Sequence, residues 1–299
     1  MAALREYAPG NPAGTDPEAN EIVPEVTVII PTFDRASVLP RALDSALAQK
    51  GVGFEVLVAD DGSTDGTAEV LDRYSGDDRV RVLRLSHGGV CRARNAAVAM
   101  SRTRLIAFLD SDDEWLPGKL AEQTRFLDDT GLSICQTEEI WIRNGVRVNP
   151  PGHYVKRDGD IFEPSLRHCM ITPSSVVLTR TLFDEAGGFD PEFPACEDFE
   201  FWLRITHKHP VGLIRKNLMV RYGGHADQLS TRYPAQDRFR IRALARLLES
   251  RVLDPKRREK AAAALEEKLA IYHAGCRKRG RDEEAAWCEG IRTRYLAAP

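Results

Sequence analysis

The 299-residue sequence is poor in cysteine and has no cysteine pattern. Its six thiols (Cys91, Cys135, Cys169, Cys196, Cys276, Cys288) are scattered without a C-x-x-C pair, which argues against a zinc site and a disulfide framework and for a reducing compartment. Nor is there an excess of one charge. The formal net charge is −3 and the isoelectric point is near 6.2, which argues against a nucleic-acid partner held by bulk electrostatics. No window approaches the roughly 18 continuous apolar residues of a membrane span, and the start of the chain lacks the basic and apolar segments of a secretion signal. A cytoplasmic protein is expected.

What is present is 42% hydrophobic and 29% charged residues, enough apolar material for one large domain or a domain with an appendage. Residues 1–23, rich in Pro, Gly, Ala, Asn and acids without periodicity, read as a flexible leader. From Pro24 onward, apolar runs at 26–30, 54–59, 80–85 and 105–109 are separated by helix-length segments. The first of these has the helical period Val38, Leu39, Ala42, Leu43, Ala46, Leu47; others are expected near 66–74 and 90–101. This rhythm predicts parallel βαβ units covered on both faces. Ligands gather beyond the carboxyl ends of such strands, so Pro31-Thr32, Asp60-Asp61 and residues 110–113 should converge on one crevice.

The stretch FLDSDDEW, residues 108–115, places Asp110, Asp112, Asp113 and Glu114 within five positions. Carboxylates a few ångströms apart repel by about a kilocalorie or more at the effective dielectric of a protein surface, so a positive partner is required. Neither the glycine fingerprint of a dinucleotide fold nor a P-loop follows the first strand, which carries PTFDR instead. A divalent cation bridging the carboxylates to a diphosphate is the expected partner.

VIIPTFDRASVLPRALDSALAQ, VLVADDGSTDGT, GGVCRARNAA, FLDSDDEW, GGFDPEF and CEDFEFWLR, in that order, resemble the motifs of the family 2 glycosyltransferases, over about residues 24–232. The resemblance implies an α/β protein of GT-A (nucleotide-diphospho-sugar transferase) fold: a mixed, mainly parallel sheet flanked by helices. A nucleotide-binding half would occupy 24–115 and an acceptor half 116–232, followed by a helical C-terminal extension over 233–299. The implied reaction is inverting transfer of a sugar from a nucleotide-sugar, a UDP-sugar, to a hydroxyl of a glycan, lipid-linked or other acceptor, with Mn²⁺ or Mg²⁺. Asp61 would accept from uracil N3–H, with Pro31, Thr32 and Arg35 lining the nucleotide pocket and Arg94 facing the donor. Asp110, Ser111, Asp112 and Asp113 would form a D-x-D-like site, with Asp112 the principal metal ligand. Asp198, of the Glu197-Asp198 pair, would be the general base, with Glu197 as the second candidate. His225, in YGGHADQLSTR, would touch the diphosphate or the metal.

Each motif also has a reading without chemistry. Ser63 or Asp65 can cap a helix, Asp60 can orient its loop, Arg94 can be a surface arginine, and acids at 197–198 compensate a helix dipole. Cys91 and His87 read as structural. The basic tail (Arg238, Arg240, Arg242, Arg246, Arg251, Lys256, Arg257, Arg258, Lys260) is interleaved with Phe239, Ile241, Leu244, Leu247 and Leu248. It either packs on the domain with its arginines in water or lies peripherally on the inner, anionic face of a membrane. A sugar nucleotidyltransferase would need a Gly-rich basic loop where PTFDR stands. A non-catalytic nucleotide-binding assembly protein would not need the intact acids. The Q-x-x-R-W motif of cellulose-synthase-type polymerases is absent, which puts processive synthesis in doubt.

Overall fold

The computed structural model describes residues 24–224, 233 and 235–296; the expected leader and His225 lie outside the described residues. The first half follows the βαβ rhythm. β1 (Val26–Thr32), α1 (Leu39–Leu47), β2 (Phe54–Asp60), α2 (Thr67–Asp72), β3 (Val80–Arg84), α3 (Val90–Met100) and β4 (Leu105–Phe108) succeed one another. β1 lies between parallel β2 (Val26↔Phe54 to Thr32↔Asp60) and parallel β4 (Val26↔Leu105 to Ile29↔Phe108). All seven β1 residues are buried because helices cover both faces, which is why the strand reads as a continuous apolar run. α1 starts with a proline in its first turn and buries Leu39, Ala42, Leu43 and Ala46, one face of a 3.6-residue period.

Beyond β4 the sheet is mixed in direction. β5 (Glu114–Trp115), α4 (Lys119–Thr130), β6 (Ile134–Arg143), β7 (Val146–Val148), α5 (Phe162–Arg167), β8 (Val176–Thr179), α6 (Arg180–Ala186), α7 (Glu197–Thr206) and β9 (Gly212–Gly223) follow. β8 pairs antiparallel with β4 and β6, while β9 runs parallel to β6, giving the order β3-β2-β1-β4-β8-β6-β9-β5 with β7 on β6. The β6–β7 hairpin turns on Asn144-Gly145, both at positive φ, the residue pair that a tight two-residue hairpin selects. The architecture is the expected mixed α/β sheet flanked by helices.

The tail forms α8 (Asp237–Glu249), α9 (Pro255–Lys278) and α10 (Asp282–Leu296). Its apolar residues Phe239, Ile241, Leu244, Leu247 and Leu248 are buried with Phe199 and Leu203 of α7 and Phe162 and Leu166 of α5. They are therefore not presented to a membrane surface. Arg251, Lys256 and Arg258 are exposed, and other basic residues of the tail are partly exposed and paired. Arg242 and Arg246 pair with Glu192, Arg246 also with Asp190, Arg257 with Asp160 and Lys260 with Glu163. Among the described residues, no helix is long and apolar enough to cross a membrane.

Candidate active site

A cleft of about 780 Å³ opens at the carboxyl ends of β1, β2 and β4. Pro31, Thr32 and Arg35 line it from the first loop, Asp61 from the second, and Asp110, Ser111 and Asp112 from the third, so the expected convergence is met. Gly88 and Gly89 line it as well, and Pro191, Phe193 and Pro194 of the second half contribute to its wall. The Thr32 hydroxyl, buried at the cleft, has no hydrogen-bond partner among the described residues.

The loops are laced together. Asp34 accepts from the backbone N–H of Thr64 (2.7 Å) while its own N–H donates to Ser63 Oγ (2.9 Å), which ties PTFDR to DDGSTDGT. Asp65 accepts from Thr67 N–H (2.9 Å) at the start of α2, and Asp60 from Ser63 N–H (3.0 Å). Asp61, only 4% exposed, accepts from the N–H groups of Gly88 (2.9 Å) and Gly89 (2.8 Å) and lies 2.9 Å from His87 Nδ1. A carboxylate has lone pairs to spare for a further donor, so shaping this turn and reading a base are compatible roles. Gly62 sits at φ +79°, and a Cβ there would approach His87 N to 2.9 Å. Only glycine lets the two turns close this tightly. His87, read from the sequence as structural, lines the cleft and stacks on Phe33 with ring centroids 4.1 Å apart.

The acidic stretch finds most of its positive and polar partners within the protein. Arg94 donates to Asp110 (2.6 Å) and to Glu197 (2.9 Å), so its guanidinium, 3% exposed, joins the third loop to the start of α7. Arg94, expected to face the donor, is held in the interior by two carboxylates and does not line the cleft. Asp113 is also turned inward, 3% exposed, accepting from Ser174 Oγ (2.6 Å) and Tyr222 N–H (3.1 Å). Burial, followed by the nearby Asp112 and Asp110, pushes its carboxyl well above the usual range. Glu114 accepts from the Tyr222 hydroxyl (2.7 Å). Asp112 remains on the cleft wall, its backbone carbonyl held by Arg41, whose guanidinium stacks 3.6 Å over the Tyr222 ring. Among the described residues, no three His, Cys, Asp or Glu side chains form a metal-binding group, and Asp113 does not line the cleft.

Glu197 and Asp198 begin α7 after Cys196, a non-glycine residue at φ +58°. Burial and the adjacent Asp198 push Glu197 up to about 7 against the pull of Arg94. Asp198 is partly buried. It accepts from Phe199 N–H (2.7 Å) and from Cys169 Sγ (3.3 Å), and it does not line the cleft wall. Sequence reasoning missed Arg41, Tyr222 and Cys169. Each meets its partner across dozens of positions, and no local spacing signals that.

Residues 27–185 match the model of glycosyl transferase family 2, more than half of the chain. The chain belongs to this family. Its relatives include an uncharacterized glycosyltransferase of Rickettsia felis, 31% identical over 207 residues, covering 67% of this chain but 33% of the relative. The chain thus spans about a third of that relative's length. Escherichia coli WfgD, named UDP-Glc:alpha-D-GlcNAc-diphosphoundecaprenol beta-1,3-glucosyltransferase, is 31% identical over 63% of this chain and 72% of its own. The structure of S. aureus TarS 1–349 in complex with UDP-GlcNAc superposes with a TM-score of 0.70 at 19% identity, over 82% of this chain and 73% of that one. At that identity the fold is what is shared. The family match ends before Glu197, so the geometry around Asp198 stands on this chain's own residues.

Proposed function

We propose that this family 2 member transfers a sugar, with inversion, from a UDP-sugar to an acceptor hydroxyl in glycoconjugate assembly. The observation that carries the reading is the cleft itself: three loops converge with Asp61 at one side and Asp110–Asp112 at the other, and Arg94 ties them to the acidic start of α7. Asp61 accepts from the base, and Thr32 and Arg35 line the nucleotide. Inverting transfer is one in-line displacement, so the acceptor hydroxyl loses its proton as it attacks the anomeric carbon opposite the diphosphate. Asp198, which faces Cys169 of the second half, takes that proton in this reading. The name of WfgD supports a lipid-linked saccharide as one acceptor class. Six unpaired thiols support a reducing, cytoplasmic compartment.

A divalent cation carried with a diphosphate needs only one or two carboxylates from the protein. Asp112 and Asp110, both on the cleft wall, fit that requirement; Asp113, turned inward, does not. When bound, Mn²⁺ or Mg²⁺ would neutralise charge on the departing diphosphate. Arg94 cannot replace it there, because its guanidinium is committed to Asp110 and Glu197.

The test is Asp198→Asn. The amide keeps an oxygen for Phe199 N–H but cannot take a proton, so UDP affinity by calorimetry should stay near wild type while UDP-sugar turnover falls roughly a hundredfold. Parallel loss of binding and rate would make Asp198 a structural residue instead.

A further inference from the structure

Both oxygens of Asp198 are engaged, by donors of very different strength. Oδ1 accepts from the N–H of Phe199 within the first turn of α7 (2.7 Å), and Oδ2 accepts from the thiol of Cys169 (3.3 Å), which lies 29 positions away between α5 and β8. We infer that Cys169 is a positioning residue for the candidate general base, its thiol orienting the Asp198 carboxylate through a weak hydrogen bond. This rests on the reading of Asp198 as the base.

The chemistry favours a thiol at this place. A charged donor, arginine or lysine, would hold strongly onto an oxygen that must accept a proton, whereas S–H is a neutral and poor donor. Cys169 Sγ also lies 3.3 Å from the carbonyl oxygen of Ile171, but a charged carboxylate is the better acceptor. Burial, and after it the Asp198 charge, holds the Cys169 thiol well above the ordinary thiol range, so it keeps the proton it donates. The neighbours of Asp198 are fixed as well. Arg94 anchors Glu197 on one side, and Cys196 before them is held at φ +58°, a conformation that costs a non-glycine residue energy and persists where the surroundings impose it. Among the described residues, the thiol is the donor that Oδ2 meets.

The experiment uses UDP release from UDP-GlcNAc and UDP-glucose with Mn²⁺, water serving as acceptor, together with the infrared S–H stretch, which requires no turnover. Cys169→Ala should lower kcat roughly two- to threefold, the lower end of what one hydrogen bond is worth, with KM for the UDP-sugar unchanged. Cys169→Ser, which keeps a donor, should recover most of that loss. The S–H band assigned to Cys169 by difference against Cys169→Ala should move to higher frequency in Asp198→Ala, because the carboxylate acceptor has gone. A band that stays in place, a Cys169→Ala protein with wild-type kcat, or a Cys169→Ser protein no better than the alanine variant would each overturn the inference. Wild-type turnover by Asp198→Asn would instead remove the base assignment beneath it.

Discussion

Residues 110–114 and the start of α7 both crowd carboxylates together, and they hold them by different means. In the first stretch three of the four acids are led to partners elsewhere in the chain: Asp110 to Arg94, Asp113 to Ser174 and the Tyr222 N–H, Glu114 to the Tyr222 hydroxyl. At α7 the acids stay side by side, Glu197 on Arg94, Asp198 on a backbone N–H and a thiol, and Glu200 on Arg204. One buried guanidinium serves both regions. The lesson is that crowded acids do not by themselves require a metal, because a single internal arginine can carry part of that duty for two loops far apart in sequence.

Removing the shared cation should have the largest effect. Arg94→Met leaves the buried Glu197 and the half-buried Asp110 uncompensated, so stability measured by urea unfolding should fall by about 3 kcal/mol. Retained stability would mean that the two regions are held independently.

The next contrast lies within the first stretch, between the acid on the wall and the acid turned inward. Asp112→Ala should lower UDP affinity in Mn²⁺ by roughly tenfold or more and abolish its sensitivity to EDTA, with little change in stability. Asp113→Ala should do the reverse: UDP affinity stays, while stability drops by about 1–3 kcal/mol because the Tyr222 N–H and Ser174 hydroxyl lose their acceptor. If the two variants behaved alike, the division of labour would be wrong.

The smallest effect concerns pH. Glu197 lies at about 7 in the folded protein against the ordinary 4.5, so protonation favours the fold. That contribution is complete below 4.5 and is lost as pH rises through 7. Melting temperatures recorded between pH 5 and 8 should decline for wild type and do so less for Glu197→Gln. Identical slopes would show that Arg94 keeps Glu197 ionised throughout.

The first half was legible because its strands are buried on both faces: the runs at 26–30 and 54–59 need no partner information to be read. β9 was not. Its middle residues Arg215, Lys216 and Asn217 are exposed, and its pairing with β6 is broken by register shifts near Glu138, so neither a continuous nor an alternating apolar pattern survives. α8 was legible as an amphipathic helix, but which surface would cover it was not, since Phe199 and Leu203 lie on another motif. The cleft loops could be named from PTFDR, DDGSTDGT and FLDSDDEW. The inward turn of Asp113 could not, because it depends on Ser174 and Tyr222, 61 and 109 positions away.

The Arg94 bridge also orders events in time. Asp110 is 16 positions from Arg94, whereas Glu197 is 103 positions away. A chain leaving the ribosome from its N-terminus can therefore close the first pair when β4 joins the sheet, long before α7 has been synthesised. Until then Arg94 is balanced one to one, and the Phe189 ring, 5.0 Å from its guanidinium in the folded protein, has yet to cover it. Glu197 arrives as a late third charge, and its docking coincides with the moment the second half closes over the first.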